Sequence, residues 1–132
     1  MTLKGRTALT GLGITKQGKT YDYNHLGFAI EAVLLALDDA GLDRADLDGL
    51  LLNPGLTWGE ANMASFQLQQ AMGLRNLRLS SIVNAGGASA GAMIQYAAQA
   101  IAAGLCHTVA CVFSDAPLKP PAAKGETRQR GG

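Results

Sequence analysis

LSSIVNAGGASAGAMIQYAAQAIAAG, residues Leu79–Gly104, is the stretch on which the fold turns. Leu79–Asn84 is a strand candidate that runs through Gly86 and Gly87 into an alanine-rich helix stopping at Gly104. Between Arg78 and Asp115 there is no Asp, Glu, Lys or Arg. A charge-free run of this length is expected at the buried centre of a domain. Two residues without a Cβ permit a sharp strand-to-helix turn and let another group approach the backbone. The helix that follows points free N–H groups and the positive end of its dipole at that turn. Such a corner can hold an anion or a polarised carbonyl oxygen, and acyl-transfer enzymes mount nucleophiles on corners of this kind. Here it reads Ala85-Gly86-Gly87-Ala88-Ser89, with no cysteine. Gly86 and Gly87 either form a backbone N–H pocket or simply make a tight turn. Asn84 either orients that turn through its amide or ends the strand. Ser89 reads as a helix-start hydroxyl satisfying a backbone donor, because nothing in the sequence sets His25 or His107 beside it as a base.

Working outward, Arg6–Ile14 reads as a short first strand. Asn24 is the N-cap of a helix whose apolar stripe is Leu26, Ile30, Val33, Leu34 and Leu37, stopped by Gly41. Leu42–Asp48 is an acidic connector with room for one more turn, and Gly49–Asn53 is a wholly apolar strand ended by Pro54-Gly55. Thr57-Trp58-Gly59-Glu60 matches a capping box. It predicts a second helix through Met63, Phe66, Leu68 and Met72, with Trp58 and Phe66 on its packing face and Gly73 as its stop. Leu77–Asn84 and His107–Ser114 supply the third and fourth strands. The order β-α-β-α-β-α-β, with strands lacking polar alternation, predicts an α/β domain: a mostly parallel sheet covered by helices. That domain is expected to span residues 1–116. Residues 117–132 are rich in proline, glycine and basic side chains and read as a mobile loop or tail. The chain ends on Gly131-Gly132 without a closing element, which suggests truncation.

A formal net charge of +1 across 132 residues points away from nucleic acid and from acidic partners. Cys106 and Cys111 are too few and too close for a disulfide framework; on one strand they would face opposite sides. A reducing cytoplasm follows from that usage, from the absence of a secretory leader and from the lack of any apolar run of membrane-spanning length. Gly13-Ile14-Thr15-Lys16-Gln17-Gly18-Lys19-Thr20 fits the phosphate-binding P-loop pattern, which would make the chain a nucleotide binder. The chemistry requires Lys19 and Thr20 in the first turn of a helix, whereas the apolar helical period starts only near Leu26.

Taken together, these stretches resemble the N-terminal half of the thiolase superfamily, especially its lipid-transfer-protein-like branch associated with sterol carrier proteins. Residues 8–19 look like the family's opening strand, and this explains the P-loop match without a nucleotide. Residues 29–52 resemble its first helix, acidic connector and second strand. Val83–Gly91 resembles the nucleophile elbow, and His107–Ser114 the strand after it. The resemblance implies chemistry on acyl-CoA thioesters, with coenzyme A arriving as part of the substrate and no covalently bound cofactor. It places Asn84, Gly86, Gly87, Ala88 and Ser89 at the substrate, and Gly87 where a thiolase carries its acyl-accepting cysteine. No catalytic residue or metal ligand is therefore identified in the chain. An acetyl-CoA acetyltransferase-like acyl-enzyme route is disfavoured, and retro-aldol carbon–carbon cleavage gains. The resemblance also implies a homo-oligomer, a small OB-fold partner subunit, and a second half supplying acid–base groups. A non-catalytic acyl-CoA- or lipid-binding subunit is the alternative. Lys119, Lys124, Arg128 and Arg130 either meet CoA phosphates or form a solvated tail.

Overall fold

The computed structural model describes residues 3–18 and 23–118 of the chain. Its centre is β1, Gly49–Asn53, all five residues of which are buried. Strand β2 (Leu79–Ile82) lies on one side of β1 and β3 (Val109–Phe113) on the other, both parallel to it. Alternation along β1 divides the core. Leu50 and Leu52 point into one cluster with Ala29, Val33 and Leu37 of helix α1 (His25–Ala40) and Ala64, Leu68 and Met72 of helix α2 (Ala64–Met72). Leu51 points to the opposite face, against Met93, Ala97 and Ala100 of helix α3 (Ser89–Ala102). A strand lined with leucine on both faces needs helices on both, and α/β layering supplies them.

Local signals set most of the helix ends. The Asn24 side chain accepts from the Gly27 N–H at 2.8 Å and starts α1. Gly41 and Gly73 end α1 and α2 in the left-handed conformation, at φ 71° and 65°. The acidic connector does make a further turn, a 3-10 helix over Arg44–Asp46. At the amino edge of the sheet, Asp48 joins two strands: its carboxylate accepts from the N–H groups of His107 and Thr108 at 2.8–2.9 Å, and its backbone oxygen accepts from Arg78 and Leu79.

Four sequence expectations are corrected. The predicted first strand, residues 6–14, joins no sheet. It lies extended across α1, held by Leu12 N–H donating to Asp39 at 2.8 Å. Gly11 and Gly13 sit so close to the helix that a Cβ on them would fall 2.3 Å from the Ala36 oxygen and 2.2 Å from the Ala32 oxygen. Close approach is thus what those glycines serve. The capping box is not formed. Helix α2 begins at Ala64 after a 3-10 turn over Ala61–Met63, with Glu60 in the left-handed region at φ 56°. The charge-free run is only half buried, because α3 contributes a single stripe while Ile94 and Tyr96 stay exposed, as does Phe113 at 62% on open strand β3. Phe66 is exposed, and Trp58 is buried from the loop before α2, not from the helix itself.

Glu60 gives the first testable consequence. A left-handed conformation costs an L-residue with a Cβ roughly 1–2 kcal/mol. Glu60→Gly is expected to raise stability by about 0.5–1 kcal/mol, the entropy of the added glycine offsetting part of the relief, as read by urea denaturation.

Candidate functional site at the carboxyl edge of the sheet

In open parallel sheets, ligands meet the loops at the carboxyl ends of the strands. Three segments gather there. The first is the elbow after β2. Ala85 precedes a 3-10 turn over Gly86–Ala88 that feeds directly into α3. Gly86 takes φ 58°, while Gly87 does not enter the left-handed region. The Asn84 side-chain oxygen accepts from the Gly86 N–H at 3.3 Å, so the amide orients the turn. Ser89 is buried; its hydroxyl donates to the Gly86 oxygen at 2.7 Å and accepts from the Ala85 N–H at 2.9 Å. It staples the turn, as a helix-start hydroxyl should. Asn84, Gly86, Gly87 and Ala88 are exposed, and the Gly87 N–H takes no acceptor among the described residues. A Cβ at Gly87 would meet nothing within 4 Å. The turn needs glycine at 86; at 87 it does not.

The second and third segments are the ends of β1 and β3, and here a cluster that sequence reasoning missed comes together. Asp115 reaches back 59 residues to accept from the Leu56 N–H at 3.0 Å, and it also accepts from the Thr57 N–H at 3.2 Å and from the Thr57 hydroxyl. The Ala116 N–H adds a further bond at 3.0 Å. Partial burial pushes this carboxyl upward, but the donors of Leu56, Thr57 and Ala116 outweigh it and hold Asp115 below the usual aspartate range. His25, first residue of α1, lies with Nε2 3.1 Å from the Thr57 hydroxyl oxygen and stacks on Trp58 at 5.6 Å between ring centroids. The capping-box reading gave Thr57 a neighbour three residues away; its true partners are 58 and 32 residues away, and no local pattern marks them.

The lowered value for Asp115 means its contribution is present above the ordinary carboxylate pKa, near 3.9, and lost as pH falls through the lowered one. Below about pH 4, hydrogen-exchange protection of the Leu56 and Thr57 amides is expected to fall ahead of protection in β1.

Other candidates lie elsewhere. His107 is at the amino edge, bonded through its backbone N–H to Asp48. Cys106 is buried before β3, its thiol raised by burial, then by Asp48, with Arg78 opposing. Cys111, on β3, is pushed up by burial to about 11. Neither thiol forms part of the elbow. No group of three or more His, Cys, Asp or Glu that could hold a metal occurs among the described residues. Lys19, Thr20 and the basic tail lie outside the described residues; α1 begins at His25, with Tyr23 and Asn24 outside any helix. No helix among the described residues is long and apolar enough to cross a membrane.

A parallel α/β sheet with a glycine elbow leading into α3 is a thiolase-like arrangement, and solved structures bear this out. The chain superposes on 3-oxoacyl-[acyl-carrier-protein] synthase III from Aquifex aeolicus with a TM-score of 0.56 at 17% identity, covering 67% of this chain and 29% of that one. It superposes on an Ltp2-ChsH2(DUF35) aldolase with a TM-score of 0.71 at 35% identity, covering 83% of this chain and 28% of that one. In sequence it is 37% identical over 109 residues to a steroid side-chain-cleaving aldolase of Thermomonospora curvata, covering 83% of this chain and 27% of that protein. It is 36% identical over 107 residues to the 17-hydroxy-3-oxo-4-pregnene-20-carboxyl-CoA lyase of Mycobacterium tuberculosis, covering 81% of this chain and 26% of the relative. The chain thus spans about a quarter of the length of the curated relatives it matches. No family model matches it.

Proposed function

We propose that the chain contributes the elbow segment of an enzyme that cleaves a carbon–carbon bond beside a CoA thioester by a retro-aldol route. The observation that carries this reading is Gly87. Its N–H has no acceptor among the described residues and can face a thioester oxygen, and it offers no thiol to accept an acyl group. An elbow that can polarise a thioester but cannot be acylated suits enolate chemistry, and two relatives of this chain are named an aldolase and a CoA lyase. The substrate-binding set is Asn84, Gly86, Gly87, Ala88 and Ser89, with Asn84 and the buried Ser89 shaping the turn and Gly87 N–H meeting the oxygen. Coenzyme A enters as part of the substrate. The exposed apolar residues of α3 and β3 are suited to a multi-subunit assembly, either a homo-oligomer or a pairing with a small partner subunit.

The test is turnover of 17-hydroxy-3-oxo-4-pregnene-20-carboxyl-CoA by the protein in its full natural length, with product thioester and ketone identified by mass. Cleavage that yields both fragments without a trappable acyl-enzyme supports the reading. An acyl-enzyme intermediate, or thioester binding with no cleavage, overturns it; the second result favours a binding subunit.

A further inference from the structure

A proton count along the His25–Thr57–Asp115 chain requires hydrogen on the imidazole Nε2. Asp115 is an ionised carboxylate and therefore only accepts, so the Thr57 hydroxyl must give it the single proton it has. The Thr57 oxygen can then only accept from His25, which requires Nε2 to carry hydrogen. In the neutral ring the lone pair is left on Nδ1, which has no partner among the described residues. Four constraints hold the ring in place. Its residue opens α1, its face stacks on buried Trp58, its Nε2–H is tied to Thr57, and its backbone oxygen accepts from the Ser114 hydroxyl at 2.6 Å. Trp58 is itself fixed by donating to Gln67 at 2.8 Å.

This cluster and the elbow hang from consecutive residues of one strand. The Leu52 oxygen accepts from Val83 N–H, at the start of the elbow segment, and the Asn53 oxygen accepts from Ser114 N–H, next to Asp115. Outer strands flanking a shared neighbour lie about 10 Å apart, a span that one substrate can bridge. We propose that His25, through Nδ1, is the proton acceptor for a hydroxyl-bearing substrate whose thioester carbonyl sits at the elbow, with Thr57 and Asp115 as positioning residues. The inference rests on the retro-aldol reading and names its base. Nδ1 takes the hydroxyl proton of a β-hydroxyacyl thioester, and the O–H electron pair becomes the new C=O bond. The Cα–Cβ bond breaks, its pair passes into the thioester enolate, and the imidazolium or water returns a proton to Cα.

Two measurements on the full-length protein test this. The first is imidazole ¹⁵N NMR of His25, expected to show the Nε2–H tautomer and to lose that preference in Thr57→Val. The second is steady-state turnover of the CoA thioester named above. His25→Gln, whose amide can still donate to Thr57, is expected to lower kcat at least about 100-fold while moving KM less than about threefold. Thr57→Ser is expected to retain activity within about threefold, since it keeps the hydroxyl. An Nδ1–H tautomer, or His25→Gln within threefold of wild-type kcat, overturns the assignment and leaves the retro-aldol function standing. A wild-type protein that holds the Nε2–H tautomer yet never cleaves the thioester overturns the function instead, and with it the substrate named for His25.

Discussion

Gly87→Cys is expected to fold as the wild type does and to become the fastest-alkylated thiol of the chain. The space is already there, since a Cβ at 87 meets nothing within 4 Å and the backbone is outside the left-handed region. The neighbouring Gly86, at φ 58°, gives the control: Gly86→Ala is expected to cost about 1 kcal/mol, whereas Gly87→Ala is expected to be neutral or slightly stabilising. The labelling contrast follows from thiolate supply. A thiol of ordinary pKa near 8.5 is about 300-fold richer in thiolate at pH 7.5 than one raised to about 11, as Cys111 is. Lower basicity makes the thiolate a weaker nucleophile and takes back roughly 15-fold, so a rate advantage of about 20-fold over Cys111 remains. Iodoacetamide labelling followed by peptide mass spectrometry reads it directly. Labelling no faster than Cys111, or a melting temperature more than a few degrees lower, would mean that position 87 is not the open point of the elbow.

That elbow was legible in the sequence because its determinants are local. Gly86, between an apolar strand and an alanine-rich helix, sets the turn, and Ser89 closes it over four residues. The same holds for Gly49–Asn53, wholly apolar and wholly buried, and for the helix stops at Gly41 and Gly73. The misreadings have one cause, which is that the deciding partner is far away in sequence. Residues 6–14 read as a short strand, but a strand needs a neighbour's edge, and composition alone cannot say whether one is there. What the pattern did contain was Gly11 and Gly13, whose spacing lets the segment lie flush on α1. Thr57-x-x-Glu60 satisfied a helix-start pattern, yet the Asp115 carboxylate is a stronger acceptor-side partner for Thr57 than any cap it could make, and it wins. The length of the charge-free run led to an expectation of burial that holds for one stripe only; Ile94, Tyr96 and Phe113 are exposed and no described residue covers them.

The Asp115 anchor also sets the other large effect. Gly55→Ala is expected to destabilise the chain by about 3 kcal/mol, more than a left-handed glycine alone would account for. Gly55 takes φ 70°, and a Cβ there would lie 2.5 Å from the Asp115 carboxylate carbon. The backbone contribution is roughly 1–2 kcal/mol. The rest comes from displacing a charged acceptor that binds Leu56, Thr57 and Ala116, for which hydrogen bonds to a charged group suggest about 1.5–3 kcal/mol. These two contributions are separable. The clashing atoms include the Asp115 Cβ at 2.6 Å, so only in an Asp115→Gly background is the clash gone along with the bonds, and Gly55→Ala should then cost only the backbone share. The double mutant is therefore expected to be about 1–2 kcal/mol more stable than the sum of the single changes predicts, a coupling that urea midpoints resolve. Strict additivity would mean that Gly55 and Asp115 do not meet, and the pinned loop that carries Thr57 to His25 would lose its anchor.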